Sequence, residues 1–351
     1  MQAHSPRAAP PPAGRAGSRR KLLFRLSVLA LVVLMLVTAS VAWLLQAPID
    51  IQRERVDFTI VPGSSMRAAA REVAAAGAEI QPWILILLSK WMRVETSIKA
   101  GSYEITRGIT PLELLNKLTR GDVTQADLVF IEGWTFRQMR ERLNAHPELR
   151  HDTADLSEAE IMRLIGAPES AAEGLFFPDT YFFAKRSSDV DLLARAYRAM
   201  QQHLAREWQA RAADLPYRDA YQALVMASIV EKETGRNDDR PLVAGVFVNR
   251  LRQGMLLQTD PTVIYGLGET FDGNLRKRDL TTDTPYNTYT RAGLPPTPIA
   301  MPGLASLRAA LNPAATEALY FVARGDGSSH FSPTLDEHNQ AVRRFQKGGK
   351  P

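Results

Sequence analysis

The 351-residue chain has no cysteine, which excludes disulfides and thiolate metal sites without identifying a compartment. Its six histidines show no repeated ligand spacing. His330 with His338 matches no known pair arrangement, so no metal centre is expected. There is no Gly-rich phosphate loop and no Gly-x-Ser-x-Gly elbow, so neither nucleotide nor acyl chemistry finds support. A basic face is also missing, despite a net charge of +5. Arg7, Arg15, Arg19, Arg20, Lys21 and Arg25 stand in the first 25 residues with no acid among them. These six exceed the whole net charge, leaving everything after them one charge negative, which disfavours a nucleic-acid partner.

What the chain does have is length and apolar content: 45% of its residues are hydrophobic, enough for a sizeable core and two folded units. Leu26–Leu45, LSVLALVVLMLVTASVAWLL, carries no charge and matches the hydrocarbon thickness of about 30 Å as a helix. Positive charge before it places the N-terminus in the cytoplasm and the remainder across the membrane. The competing reading is a cleaved signal peptide, since Ser40-Val41-Ala42 resembles a small-x-small site. The apolar run continues through Trp43, Leu44 and Leu45, beyond a signal's apolar core of roughly 7–15 residues, which favours a retained anchor. Residues 1–25 read as a basic, Pro/Ala-rich cytoplasmic tail.

Three later stretches share a pattern: IVPGSSMRAAAREV, ITRGITPLELLNKL and IEGWTFRQMRERL. Aligned on Gly63, Gly108 and Gly133, each places Ser65, Thr110 or Thr135 two positions on, and Val73, Leu118 or Leu143 ten positions on. The pattern predicts an extended segment, a glycine turn and a capped helix, three times over. Thr110 with Glu113 and Thr135 with Gln138 read as capping boxes. Between the first two, QPWILILLSKWM reads as a buried helix, too short and too interrupted by Lys90 to span a bilayer. Residues 56–146 are expected to form one small α/β module, acting as a sugar binder or a spacer.

Residues 155–346 hold the candidate chemistry. In EGLFFPDTYFF (Glu173–Phe183) most aromatics are assigned to the core, with Asp179 and Tyr181 the exposed exceptions. ASIVEKETG (Ala227–Gly235) closes a helix expected to begin at Asp219, with a capping box to Gln222, and to end at Gly235. Its apolar residues point in nearly every direction, so it is buried all round. Glu231 and Glu233 leave its C-terminal end, where burial and the negative end of the dipole disfavour ionisation. A carboxyl kept neutral there suits a general acid. Taken blind, such a pair is more often solvated or ion-paired than catalytic. About 200° apart around the helix, the two cannot together flank one glycosidic bond.

Downstream, MLLQTDPTVIYGLG reads as a loop entering a helix, with Asp260 as cap and Pro261 at the first helical position. That puts Gln258, Thr259 and Asp260 at the junction. TPYNTYTRAGLPPTPIAMPG is a stiff, polar, aromatic loop suited to a cleft wall or to a plain surface. LYFVARGDGSSHFSPT reads as a hairpin turning at Gly325-Asp326-Gly327, with a helix capped at Thr334 after it.

Taken in order, EGLFFPDTY, ASIVEKETG, VFVNRL, LQTDPTVIYG, YNTY, GLPPTPI and YFVARGDGSSHF resemble the endolytic murein transglycosylases of the MltG or YceG-like family, over about residues 56–346. The resemblance implies an α+β chain with a single N-terminal transmembrane helix (26–45), a small LysM-like α/β module (56–146) and a mainly helical, lysozyme-like catalytic domain with a β-hairpin (155–346). It implies that Glu233 is catalytic, a choice that helical geometry does not make, with Glu231 and, less directly, Asp179 and Tyr181 in support. Gln258, Asp260, Asn287 and Tyr289 are assigned to glycan binding from motif position. Expected partners are peptidoglycan glycan strands, the inner membrane and peptidoglycan synthases, with the catalytic domain periplasmic and no cofactor or metal. The alternatives are a water-using muramidase and a non-catalytic wall-binding scaffold.

Overall fold

The computed structural model describes residues 16–51 and 53–346, without the side chains of 16–23, 41, 42 and 44. Two compact units meet in sequence at Thr124 and Gln125.

In the first unit, helix α1 (Ala16–Gln46) exposes its large apolar side chains from Phe24 to Val37, and Trp43. Among the described residues no helix is long and apolar enough to cross a membrane. The run expected to span, 26–45, lies partly outside them, at side chains 41, 42 and 44. Strand β1 (Asp50–Ile51) precedes β2 (Arg55–Ile60), α2 (Met66–Ala75), β3 (Ala78–Glu79), α3 (Pro82–Trp91), β4 (Gly101–Thr106) and α4 (Pro111–Arg120). β2 and β4 pair antiparallel, setting Val56 against Ile105 and Phe58 against Tyr103. β1 pairs in the same sense with β3. The alternation along β2 buries Val56, Phe58 and Ile60 over Val73, Leu85, Leu114 and Leu118, the pattern of a strand with one dry face. α3 departs from expectation. Only Leu85, Leu88 and Ser89 are buried, while Trp83, Leu87 and Trp91 are exposed. The neighbours α2 and α4 cover one side of it, and apolar density alone does not say how many sides a small unit can cover.

The second unit opens with β5 (Gln125–Val129) and α5 (Phe136–Asn144), then α6 (Glu158–Leu164), β6 (Thr180–Ala184), α7 (Asp189–Gln209), α8 (Ala220–Glu233), α9 (Arg240–Arg252), α10 (Asp260–Leu267), α11 (Lys277–Thr281), α12 (Leu304–Leu311), β7 (Tyr320–Ala323), β8 (Ser329–Ser332) and α13 (Leu335–Phe345). All three expected glycine turns form. Gly63, Gly108 and Gly133 have φ of +82°, +96° and +78°, the left-handed region that glycine enters without a Cβ penalty. Ser65, Thr110 and Thr135 cap the helices that follow, the last two with full capping boxes.

The third of these motifs belongs to the larger unit, so the small module ends at Thr124 rather than at 146, and the second unit starts well before 155. β5 pairs antiparallel with β6. Leu128, Phe130, Phe136, Met139 and Leu143 are buried in the same core as Phe176, Leu193 and Met226. Burial therefore assigns the segment where the local motif could not.

At the centre of this unit lies α8, with every residue from Ala223 to Val230 buried, surrounded by α7, α9, α10 and α12. Asp219 caps it by accepting from Gln222 N at 2.9 Å. The Gln222 amide oxygen accepts from Arg218 N instead of from the cap's own N–H, so the box is half formed. The helix stops at Glu233, two residues before Gly235, because Thr234 is extended. β7 and β8 form the expected hairpin, with Gly325 and Gly327 at positive φ.

Candidate active site

The two glutamates at the end of α8 meet different surroundings. Glu231 is spent on structure. Its Oε1 accepts from Arg240 Nη2 at 3.1 Å, in an ion pair with side chains only 6% and 8% exposed. Its Oε2 accepts from Gly303 N at 2.9 Å. Between them, Lys232 Nζ donates to the Gly133 carbonyl at 3.1 Å, and Gly133 N and Met301 N each bond across to the opposite segment. The Glu132 carboxylate lies so close to Gly303 that a Cβ there would collide with it. Burial and the nearby charge of Glu231 push the Glu132 carboxyl above the usual range, with Arg240 opposing.

Glu233 turns the other way and is half-buried. Its one side-chain hydrogen-bond partner among the described residues is the Thr259 hydroxyl, which donates to Oε1. Burial raises its pKa first, the Thr259 bond lowers it, the Asp260 carboxylate raises it and the Arg250 guanidinium lowers it; the net direction is up. A carboxyl of this kind is poised to hold and release a proton.

Thr259 is placed with care. It is 2% exposed, and its backbone N donates to Thr288 Oγ1 at 3.1 Å. Thr262 Oγ1 donates to the Thr259 carbonyl at 2.8 Å and lies 2.9 Å from Thr288 Oγ1. Three buried threonines thus lock the junction between loop and helix. Sequence spacing made Asp260 the cap; in the structure Thr259 holds that position and Asp260 is the first helical residue. Thr259 makes no capping bond, because its hydroxyl is turned to Glu233. Gln258, just before it, has φ of +50°, a left-handed conformation costly for a residue with a Cβ and tolerated where the surroundings impose it. The constraint is visible: Gln258 N donates to the Thr288 carbonyl at 3.1 Å. Arg250, itself buried, donates to the carbonyls of Leu256 and Leu257 and, at 3.4 Å, to Gln258 Oε1.

The remaining candidates divide. Asp260 is exposed and accepts from Tyr289 OH at 2.6 Å. Tyr289 is half-buried, and its hydroxyl proton is held tightly by burial, Asp260 and Glu233. Glu233, Gln258, Asp260 and Tyr289 therefore gather at one place. Asn287 is fully buried. Its Nδ2 donates to the carbonyls of Asp279, Leu280 and Thr282 and its Oδ1 accepts from Tyr289 N at 2.9 Å. Asn287 braces the loop that carries Thr288 and Tyr289, and its amide has nothing left for a ligand. Tyr181, expected at the surface, is buried, donating to the Phe177 carbonyl at 2.7 Å with its ring against Phe130. On a strand of alternating exposure, one face must enter the core. Asp179 is exposed as expected, and its Oδ1 accepts from its neighbour Thr180 N.

The sequence reading left out Arg250 and Arg240, and placed Thr259 at the helix entrance and Thr288 in the polar loop without giving either a role. Thr259 left its signal as the residue beside Asp260-Pro261 at a helix entrance, and Thr288 as part of a polar loop suited to a cleft wall. Glu173 was also left out. Both its oxygens accept from Phe136 N at 3.1 Å and Oε2 accepts from Tyr265 OH at 3.1 Å. Burial raises its pKa to about 7.

The sequence pattern of the YceG-like family matches residues 58–344, and the chain belongs to that family. An endolytic murein transglycosylase of Bacillus subtilis is 39% identical over 173 residues, 49% of this chain and 48% of the relative. One from Streptococcus pneumoniae is 27% identical over 330 residues, 84% of this chain and 59% of the relative. The chain thus spans about half to three fifths of the length of these curated relatives. The crystal structure of a YceG-like protein from Listeria monocytogenes, 31% identical, superposes with a TM-score of 0.52, covering 82% of this chain and 98% of that one.

Proposed function

We propose that this protein is a membrane-anchored endolytic lytic transglycosylase that cuts peptidoglycan glycan strands, with Glu233 as its proton carrier. The observation that carries the reading is the contrast at the end of α8. Glu231 is committed to Arg240 and Gly303, whereas Glu233 is a carboxyl with a raised pKa and a single hydroxyl donor. The relatives named endolytic murein transglycosylase support the substrate class.

In this reaction protonated Glu233 gives its proton to the oxygen linking N-acetylmuramic acid to N-acetylglucosamine. The resulting carboxylate takes the proton of the muramyl C6 hydroxyl, which attacks C1 of its own ring and closes the 1,6-anhydro product. The leaving sugar keeps the first proton and Glu233 ends protonated, so no water is consumed and no second carboxylate is needed. The nucleophile is tethered to its target, which removes much of the entropic barrier. Thr259, bonded to Oε1, leaves Oε2 to carry the proton. Gln258, Asp260 and Tyr289 border the glycan, and Asn287 shapes the loop behind them.

The first unit serves as the LysM-like module, a reading supported by two helices, α2 and α3, lying in sequence between the paired strands β2 and β4. The uncharged run 26–45 anchors the chain in the inner membrane, with the basic tail cytoplasmic and the catalytic unit periplasmic, beside the synthases whose strands it shortens.

Digestion of purified glycan followed by mass spectrometry tests the activity. The proposal expects anhydromuramyl ends. A water-using muramidase gives reducing ends, and a binding scaffold gives no new ends and works unimpaired as Glu233→Gln.

A further inference from the structure

The outer face of α3 is where burial and composition disagree most. Nine of the twelve residues of QPWILILLSKWM other than Gln81, Ser89 and Lys90 are apolar or proline, and a helix apolar all round is ordinarily covered all round. Here Trp83, Leu87 and Trp91 stand 55%, 60% and 75% exposed. At positions i, i+4 and i+8 the three share an arc of about 80°. Lys90 lies about 20° beyond Trp83 on the same side, and exposed Arg93 follows the helix. The opposite face is packed: Leu88 joins Met66 and Leu115 in a small cluster that also receives Leu45, from the last turn of α1.

We propose that this stripe is a membrane seat, on which the small unit rests against the lipid surface at the point where α1 leaves it. The chemistry is that of an interfacial helix. Indole rings favour the boundary between hydrocarbon and headgroups, and cations beside them attract anionic lipid. Position supplies the occupant, because Leu88 belongs to the same small cluster, with Met66 and Leu115, that receives Leu45 from the end of α1, where the uncharged run 26–45 finishes. The inference rests on the anchor reading of residues 26–45. Its effect is to tie the module to the bilayer instead of leaving it to swing from a single helix.

The absence of cysteine makes the test direct. Full-length protein carrying Leu87→Cys, Leu34→Cys or Arg71→Cys is labelled with an environment-sensitive fluorophore and reconstituted into phosphatidylethanolamine and phosphatidylglycerol vesicles containing nitroxide-labelled lipid. Arg71, exposed on α2, reports water; Leu34 reports the anchor. The expected result is several-fold stronger quenching at 87 than at 71, with a blue-shifted emission that Lys90→Glu diminishes. Quenching at 34 while 87 behaves like 71 overturns the seat and leaves the anchor standing. No quenching at either 34 or 87 overturns both. A shielded but unquenched 87, whose emission changes on dilution of the protein, assigns the stripe to a second copy of the chain and overturns the lipid proposal.

Discussion

The two sides of the α8 terminus solve opposite problems with the same side chain. On the Glu231 side, a buried guanidinium and a backbone amide complete the carboxylate, and the turn at Gly133 closes over Lys232. On the Glu233 side, among the described residues, there is no ion pair, only a threonine hydroxyl held by two other threonines. Two carboxyls two residues apart thus receive different partners, and only the Glu231 carboxylate is tied to a buried cation.

Replacing each glutamate should break that contrast in a different observable. Glu233→Gln should lower the rate of glycan cleavage by about 10³-fold, within the range for loss of a general acid and base, while its thermal midpoint stays near wild type. Glu231→Gln should instead destabilise the unit by about 3 kcal/mol, since one partner of a buried ion pair is left uncompensated; urea unfolding reads it. If the two variants exchanged these effects, the assignment would be reversed.

Glu173 extends the comparison to a buried carboxyl outside this pair. Its folded value is about 7, raised from 4.5. The raised value means that its stabilising contribution is complete below about pH 4.5 and is lost as pH climbs through 7, amounting to about 3 kcal/mol. Wild type should therefore lose that much more stability between pH 4 and 8 than Glu173→Gln, by denaturant titration at the two pH values. Equal losses would show that Glu173 does not titrate there.

Smaller effects should sharpen the Glu233 side. In the proposed reaction cleavage needs protonated Glu233, so the rate is expected to fall on the alkaline side of the Glu233 pKa. Thr259 lowers that pKa and Asp260 raises it. Thr259→Val should move the alkaline limb to higher pH and slow the reaction up to about tenfold, the value of one hydrogen bond. Asp260→Asn should move the same limb to lower pH. Shifts in the same direction would contradict the arrangement.

Local rules made much of this legible in the sequence. The Gly63, Gly108 and Gly133 turns, the Thr110 and Thr135 capping boxes and the hairpin at Gly325 depend on neighbours within a few residues, and they form as read. What escaped depends on distant neighbours. Residues 125–146 repeat the local motif of the small unit yet bury Phe136 and Met139 in the large one. Tyr181 shares its strand's inner face with Phe183. Asn287 resembles a ligand-binding amide until three loop carbonyls consume it. In the site, Glu233 came from the family resemblance and its end-of-helix position from periodicity. The bond from Thr259 to Glu233 emerged only when residues 233, 259 and 288 were brought together in space.

Everything proposed for the site depends on the surroundings of the Glu233 carboxyl raising its pKa. Carbon-13 NMR of glutamate-labelled protein, with the Glu233→Gln variant identifying the signal, measures it directly. This carboxyl is expected to titrate above the ordinary glutamate value of 4.5. A midpoint at or below that value would contradict it.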